Sequence, residues 1–548
     1  MSITGSELLG KALRHHGADT MFYLMGGPMH VAVKTAMAEG IRAVDVRHEQ
    51  AAAMMATAYA RLMNKPGLCM ACSGPGTINL TTGMAHAFVD CAPVVAIGGS
   101  SPIQQSGMGA FQEVDQVSAL RPFTKWAERI YEPRRIPELV GLAFRRAFSG
   151  KPGPVYLDFP GDILSAVVDE KDVWWPAPAS TVPRERSKAS TAQIEAALDL
   201  IGKSQKPVVL TGSGVLWSDA SDETREWIKL TGIPFYTTPQ GRGVVAEDEA
   251  CFYPYARSSA LKEADLVLIV GTRMNYVSSF VSPPRFSAAA RRIRIDIDPE
   301  EISSSQHLDI GIVGDAKAVL KQLIAAAKTR DLSRQFEPWR KHLEGIEQKK
   351  RSAQEITLHS DQQPIHPLRL CKEIRDFIKR DAIIAVDGRD ILNFGRQSIP
   401  TFVARHRLNS GTLGTMGVGL PFGIGAKVAK PGHQVVVLSG DGCFGLNAME
   451  LDTAARHKLG VITVISLNGG WTADPKKEKP GRDLGYTRFD KIAEALGCHG
   501  EYVERPEDIR PALERAAAAA EKGIPALVNV VTDWRAVASQ GKFALYMT

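Results

Sequence analysis

The stretch SGDGCFGLNAMELDTAARHKLGVITVISLNGG (residues 439–470) puts GDG after one apolar run and NGG after the next. The preceding QVVVL (residues 434–438) and the internal VITVISL (residues 461–467) read as buried strands. Residues 447–458 have helical spacing, with no proline or internal glycine. Strands joined through a helix run parallel. Both loops therefore leave the same carboxyl edge of a sheet, where α/β proteins bind ligands. Asp441 and Asn468 become neighbours there, beside glycine carbonyls and a helix N-terminus. Such a terminus attracts phosphate, and a carboxylate repels it. A hard cation between them resolves the conflict. Mg²⁺ takes oxygen ligands, and Asp441, Asn468 and the Gly470 carbonyl supply such a set. A lone GDG would read as a turn. The two motifs at matched strand ends read as a metal–diphosphate site.

The 548-residue chain is 44% hydrophobic and 23% charged, the composition of a globular protein with room for about three domains. Its net charge of +6 is dispersed. The short clusters KKR (residues 349–351) and KKEK (residues 476–479) read as solvated surface, so no nucleic-acid partner is expected. A mild positive balance suits an anionic small ligand. Seven scattered cysteines make no disulfide framework, and a reducing compartment fits them. Cys69 and Cys72 form a lone CxxC in an apolar run without further zinc ligands nearby, and read as buried thiols. Residues 1–17 read as an amphipathic helix without a signal-peptide core. No apolar stretch has membrane-spanning length, and the last residues are not a peroxisomal-type signal. A cytoplasmic protein with no membrane partner is the expectation.

Strand–helix alternation fills residues 21–164, resumes from KPVVLTGSG to about residue 327, and returns after residue 367. Two polar stretches, residues 169–190 and 333–367, separate the blocks. We expect three doubly wound parallel-sheet α/β domains at 1–168, 188–330 and 365–548. The GSG turn at residues 212–214 lacks a complete GxGxxG.

VRHEQAAAMMATAYAR (residues 46–61) reads as a helix of small residues with Glu49 in its first turn. A carboxylate against a buried, alanine-rich helix needs a partner, and desolvation should raise its pKa. GDG followed by LNGG resembles the diphosphate motif of thiamine diphosphate (ThDP) enzymes, with Leu467–Asn468 where the family has paired asparagines. The likeness spans the chain in the order pyrimidine, middle and diphosphate domain. It implies ThDP and Mg²⁺ as cofactors, with Glu49 bonding the aminopyrimidine so that the thiazolium loses its C2 proton. It implies cofactor contacts from Ser73 and Asn79 in SGPGTIN, and from Gly388, Gly440, Gly442 and Asp441. Met416, in a glycine-rich stretch, would hold the cofactor bent; as a buried methionine it also reads as ordinary packing. Asn468 and Gly470 join Asp441 at the metal. Phe111 and Gln112 would line the reaction pocket. The family's cofactor lies between the pyrimidine domain of one subunit and the diphosphate domain of another. A homo-oligomer follows, a dimer at least, with a tetramer expected.

YARSSALKEADLVLIVGTRMN (residues 255–275) and ARHRLNSGTLGTMG (residues 404–417) resemble the coenzyme A segments of oxalyl-CoA decarboxylases and 2-hydroxyacyl-CoA lyases. Arg257, Ser258, Arg405 and His406 match the contact positions, and arginine suits phosphates. The same likeness offers an ADP site at Lys151, Arg273 and Asp296. Phe111–Gln112 stands where the decarboxylases carry Tyr–Glu, which favours the lyases. Arg389–Asp390 replaces the Ala–Asn of relatives, and Trp471–Thr472 replaces Ile–Tyr. The resemblance thus implies cleavage of a 2-hydroxyacyl-CoA to formyl-CoA and an aldehyde or ketone, reversible as an acyloin condensation. Oxalyl-CoA decarboxylase, acetolactate synthase, a CoA-independent aldehyde lyase and a non-catalytic ThDP scaffold stand as alternatives. Intact Glu49, Asp441 and Asn468 speak against the last. Residues 533–548 follow the final strand and are expected to close as a C-terminal lid.

Overall fold

A computed structural model describes residues 1–181, 186–305 and 307–538. The lid assigned to the tail falls, from residue 539 onward, outside these residues. Three parallel sheets form the frame, as the alternation predicts, of six, five and six strands. The first runs in spatial order Arg42–Asp45, Thr20–Tyr23, Gly67–Ala71, Val94–Ser100, Val155–Pro160, Trp126–Arg129. The third runs Arg407–Asn409, Ile383–Asp387, Val435–Gly440, Ile462–Leu467, Ala526–Val531, His499–Val503. Numbered by chain order within each sheet, both follow the same path. The second strand lies outside the first, and the third lies on its other side. Each therefore has a switch point between its first and third strands, where loops diverge and leave a crevice. The Gly388 and Gly440 loops flank that crevice in the third sheet.

Val435–Gly440 and Ile462–Leu467 pair in parallel, with Ser439 opposite Ile465 and Gly440 opposite Ser466. Their residues are buried nearly throughout, the signature of a sheet covered on both faces. The connection differs in detail from the expected single helix. One short helix starts at Asp441 itself (Asp441–Gly445), and a second spans Glu450–Arg456.

Glu49–Met63 is a helix buried almost all round, which requires a second packing surface besides its own sheet. That surface is the Gly419–Ala429 helix of the third unit. A Cβ on Gly425 would lie 2.5 Å from the Met55 carbonyl oxygen and 3.1 Å from Ala58 Cβ. Alanines on one side and glycine on the other permit this approach. The first and third units consequently share one continuous apolar core.

Two segments depart from the sequence reading. The first residues are not helical: Ser2–Thr4 pairs antiparallel with Val167–Asp169, and the helix begins at Gly5. Thr4 and Glu7 form a reciprocal capping box that sets this start. Part of the second polar stretch is a 22-residue helix, Glu337–Leu358, which buries Trp339 and Leu343 against the middle sheet. No helix among the described residues is long and apolar enough to cross a membrane.

Candidate functional site

Asp441 follows the Val435–Gly440 strand directly and is 3% exposed. Its Oδ1 accepts from the Gly442 N–H at 2.9 Å, and Oδ2 accepts from the Gly470 N–H at 2.9 Å. Asn468 Oδ1 accepts from the same Gly470 N–H at 3.1 Å. The two motifs, 27 residues apart, thus share one glycine. Burial pushes Asp441 up to about 6, against the Gly442 and Gly470 N–H groups that lower it. No cationic side chain among the described residues forms a salt bridge with this carboxylate; the Arg482 guanidinium acts on it only from beyond contact distance and lowers it less than burial raises it. Carboxylate, amide oxygen and the nearby Gly470 carbonyl are all hard donors, a set that fits Mg²⁺ rather than a soft metal. Gly388, Gly440, Gly442 and the half-exposed Met416 line the same cavity as Asp441, Asn468 and Gly470.

Glu49 opens the alanine-rich helix, is 5% exposed, and accepts from Asn79 Nδ2 at 3.0 Å through Oε2. A Cβ on Gly76 would lie 3.1 Å from Glu49 Oε1, so the glycine leaves space over the carboxylate. Ser73 Oγ donates to Gln112 Oε1 at 2.5 Å. Behind them the buried Gln116 accepts from the Gly74 N–H at 2.5 Å and donates to Asp158 at 2.7 Å. Phe111 is 86% exposed. Glu49 thus meets Asn79, and Ser73 meets Gln112, the neighbour of Phe111; none of the five lines the Asp441 cavity of the same chain.

That cavity, of about 2040 Å³, runs between the three units. Arg257 lines it; Ser258, Arg405 and His406 do not. Arg405 pairs with Asp219 at 2.9 Å and donates to the Leu216 carbonyl at 2.7 Å, tying the third unit to the middle one. His406 hydrogen-bonds the Asp381 carbonyl through Nδ1 at 2.9 Å. Both precede the Arg407–Asn409 strand and so lie at its amino end, away from the ligand-binding edge. Ser258 is exposed and accepts from Lys350 at 3.3 Å. Lys151, Arg273 and Asp296 do meet on the cavity wall. Their charges are already matched there: Lys151 pairs with Asp298 and Glu301, Arg273 with Glu301, and Asp296 with Arg294.

The sequence reading missed several groups. Arg285 and Arg396 line the cavity with Arg257, and none of the three has a carboxylate partner among the described residues. Burial lowers Arg257 to about 9, with Arg285 and Arg396 adding repulsion. Burial also lowers Arg396 to about 10, helped by Arg242 and Arg285. Asp387 ends the Ile383–Asp387 strand, accepts from the Gly419 N–H at 3.0 Å, and is raised by burial to about 6. Its signal was legible: an aspartate ending an apolar run just before Gly388, as Asp441 follows Gly440. Glu450 accepts from the N–H groups of Arg47 and His48, both at 3.1 Å, just before Glu49.

Comparison with known proteins matches this architecture unit by unit. "Thiamine pyrophosphate enzyme, N-terminal TPP binding domain" matches residues 3–119. The central domain of the same family matches residues 194–323, and its C-terminal TPP binding domain matches residues 394–530. The 2-hydroxyacyl-CoA lyase of Arabidopsis thaliana is 34% identical, over 99% of this chain and 97% of the relative. The acetolactate synthase large subunit of Mycobacterium tuberculosis is 33% identical, over 96% and 95%. The oxalyl-CoA decarboxylase of Escherichia coli K12 is 31% identical, over 96% and 95%. With all three domains matched in order and relatives aligned over nearly its full length, the chain belongs to the thiamine pyrophosphate enzyme family.

Proposed function

We propose that the protein is a ThDP- and Mg²⁺-dependent lyase that cleaves 2-hydroxyacyl-CoA thioesters to formyl-CoA and an aldehyde or ketone. The reverse reaction is an acyloin condensation. The observation that carries this reading is one cavity lined both by Asp441, Asn468 and Gly470 and by Arg257, Arg285 and Arg396, cations without a carboxylate partner among the described residues. Crowded guanidinium groups without carboxylates call for an anionic ligand, and the phosphates of a coenzyme A thioester meet that need. The lyase from Arabidopsis supplies the substrate class, and the Phe111–Gln112 pair follows the lyase pattern.

When bound, ThDP supplies an electron sink for carbanion chemistry at a carbonyl carbon. Asp441, Asn468 and the Gly470 carbonyl would hold Mg²⁺ against its diphosphate, and Met416 would support its bend. Glu49, which accepts a hydrogen bond from Asn79, would hold or release a proton at its carboxylate to serve the aminopyrimidine. Ser73 holds Gln112, whose amide would orient the reacting end of the substrate. Glu49 does not line the Asp441 cavity of its own chain, in keeping with the family's arrangement, in which a complete site would take Glu49 from one subunit and Asp441 from its partner. ADP at Lys151, Arg273 and Asp296 would have to displace existing ion pairs.

The test is product analysis with 2-hydroxyacyl-CoA thioesters, oxalyl-CoA and pyruvate as rival substrates. Formyl-CoA with an aldehyde from the first supports the lyase; turnover of only oxalyl-CoA or only pyruvate rejects it. Arg257→Ala and Arg396→Ala should each raise KM for the acyl-CoA by the equivalent of about 1.5–3 kcal/mol, the range for hydrogen bonds to charged groups. Cleavage of a small acyloin without CoA should hardly change. Equal damage to both substrates would make these arginines structural.

A further inference from the structure

Residues 471–483 leave the Asn468–Gly470 loop and return to it. The Trp471 N–H donates to the Arg482 carbonyl at 3.0 Å, the Leu484 N–H donates to the Gly469 carbonyl at 2.9 Å, and Gly470 bridges to Asp483. Arg482 is 7% exposed, and its planar guanidinium spans the base of this excursion. Nη2 donates to the Asn468 carbonyl at 2.8 Å, and Nε donates to the Thr472 carbonyl at 2.7 Å. One rigid fork thus sets the distance between the residue before the glycines and the residue beyond them.

A second tie comes from elsewhere in the chain. Asp390 begins the Asp390–Ser398 helix, two residues after Gly388, and is 9% exposed. Its Oδ2 accepts from Thr472 Oγ1 at 2.8 Å and from the Ala473 N–H at 2.9 Å. A buried carboxylate needs such donors. Two of the places where this sequence leaves the pattern of its relatives, Arg389–Asp390 and Trp471–Thr472, are therefore in direct contact, Thr472 lying 82 residues beyond Asp390. A third contact closes the set. The Trp471 ring lies over Gly442, where a Cβ would come within 2.6 Å of Cε3. Together these ties join the Gly388, Gly440–Gly442 and Asn468–Gly470 loops, the three that flank the proposed diphosphate.

We propose that Asp390 and Arg482 are positioning residues that lock these three loops into the geometry that receives the metal–diphosphate, with Asp390 and Thr472 working as one matched pair. Their bonds run to the protein: Arg482 directs three of its five N–H donors to the Asn468 and Thr472 carbonyls and to Asp483. The contribution is pre-organisation: loops already held do not have to be ordered when the ligand arrives. The inference rests on the reading of Asp441 and Asn468 as the metal–diphosphate site.

The experiment measures ThDP affinity in Mg²⁺ by calorimetry, alongside the melting temperature of the cofactor-free protein. Arg482→Ala should raise Kd by about tenfold or more, the loss typical of hydrogen bonds from a charged group. Arg482→Lys should not rescue it, because an ammonium cannot span both carbonyls. Asp390→Ala and Thr472→Val should each weaken binding, and the double variant should be no weaker than Asp390→Ala alone, since both remove the same bond. Excess ThDP should restore part of the lost turnover, whereas the loss of affinity should persist. Unchanged Kd in folded Arg482→Ala and Asp390→Ala overturns the proposal. Should those two not fold, an unchanged Kd in Thr472→Val overturns it as well. Asp441→Ala separates the two readings. If it also keeps ThDP affinity, the metal-site assignment fails; if it alone loses affinity, only the positioning role fails.

Discussion

Glu49 combines a buried carboxylate, a single side-chain donor and a glycine that leaves room above it. A structural cap would not need that space; a group that exchanges a proton with a bound ring does. Glu49→Gln keeps size and removes the titrating proton. It should leave ThDP bound and lower turnover by roughly a hundredfold or more, the range for losing a proton-transfer group. Steady-state assays at saturating cofactor, paired with a ThDP titration, check this. Near-parent turnover would remove Glu49 from the chemistry. At this scale the burial of Glu49 and its need for a partner were readable in the sequence, because a charged residue opening an apolar helix is costly wherever it is buried.

The element that carries Glu49 is held from outside its own domain. Glu450, in the third unit, accepts the N–H groups of Arg47 and His48 and the hydroxyl of Thr453. Burial raises it to about 7, with Thr453 and the two backbone donors opposing. The sign is that of a raised acid. Between the ordinary value of 4.5 and about 7, the folded protein keeps a proton that the unfolded chain has released. Stability is therefore highest below that window and falls as pH rises through it, by on the order of 3 kcal/mol in total. Glu450→Gln accepts the same N–H groups without ionising. Its melting temperature should match the parent near the low end of the window and exceed it above the upper end. Other titrating groups cancel in the comparison. A difference that does not change with pH would mean that Glu450 stays ionised in the fold.

Across the whole molecule, Glu49 and Asp441 lie on one chain, but only Asp441 lines the large cavity. The Asp441 cavity has no lining from Glu49, Ser73, Phe111 or Gln112. If each site is completed by a partner subunit, two inactive variants should complement each other. Co-expressed Glu49→Gln and Asp441→Ala chains that pair at random should recover roughly a quarter of the sites, because each mixed dimer contains one site with both residues intact. Purified mixed dimers with no activity would place both residues in one chain's site.

Periodicity and short motifs were enough to predict parallel strands, the edge at which their loops emerge, and the meeting of Asp441 with Asn468. These depend on the pattern within one strand–helix–strand unit. The alternating blocks likewise announced three sheets. The short pairing of Ser2–Thr4 with Val167–Asp169 was not legible, since three residues carry no period and their partner is far along the chain. Nor was the fate of the arginines. Arg405 and Arg257 look alike in sequence, yet Arg405 lies at the amino end of its strand and is consumed by Asp219. Arg257, Arg285 and Arg396 come from separate segments and face one cavity. The bond from Thr472 to Asp390 belongs to the same class. Local sequence determines what a residue's own element does. Which side chains are left unmatched, and which distant ones meet, is set by how the elements pack, and only the tertiary structure decided that.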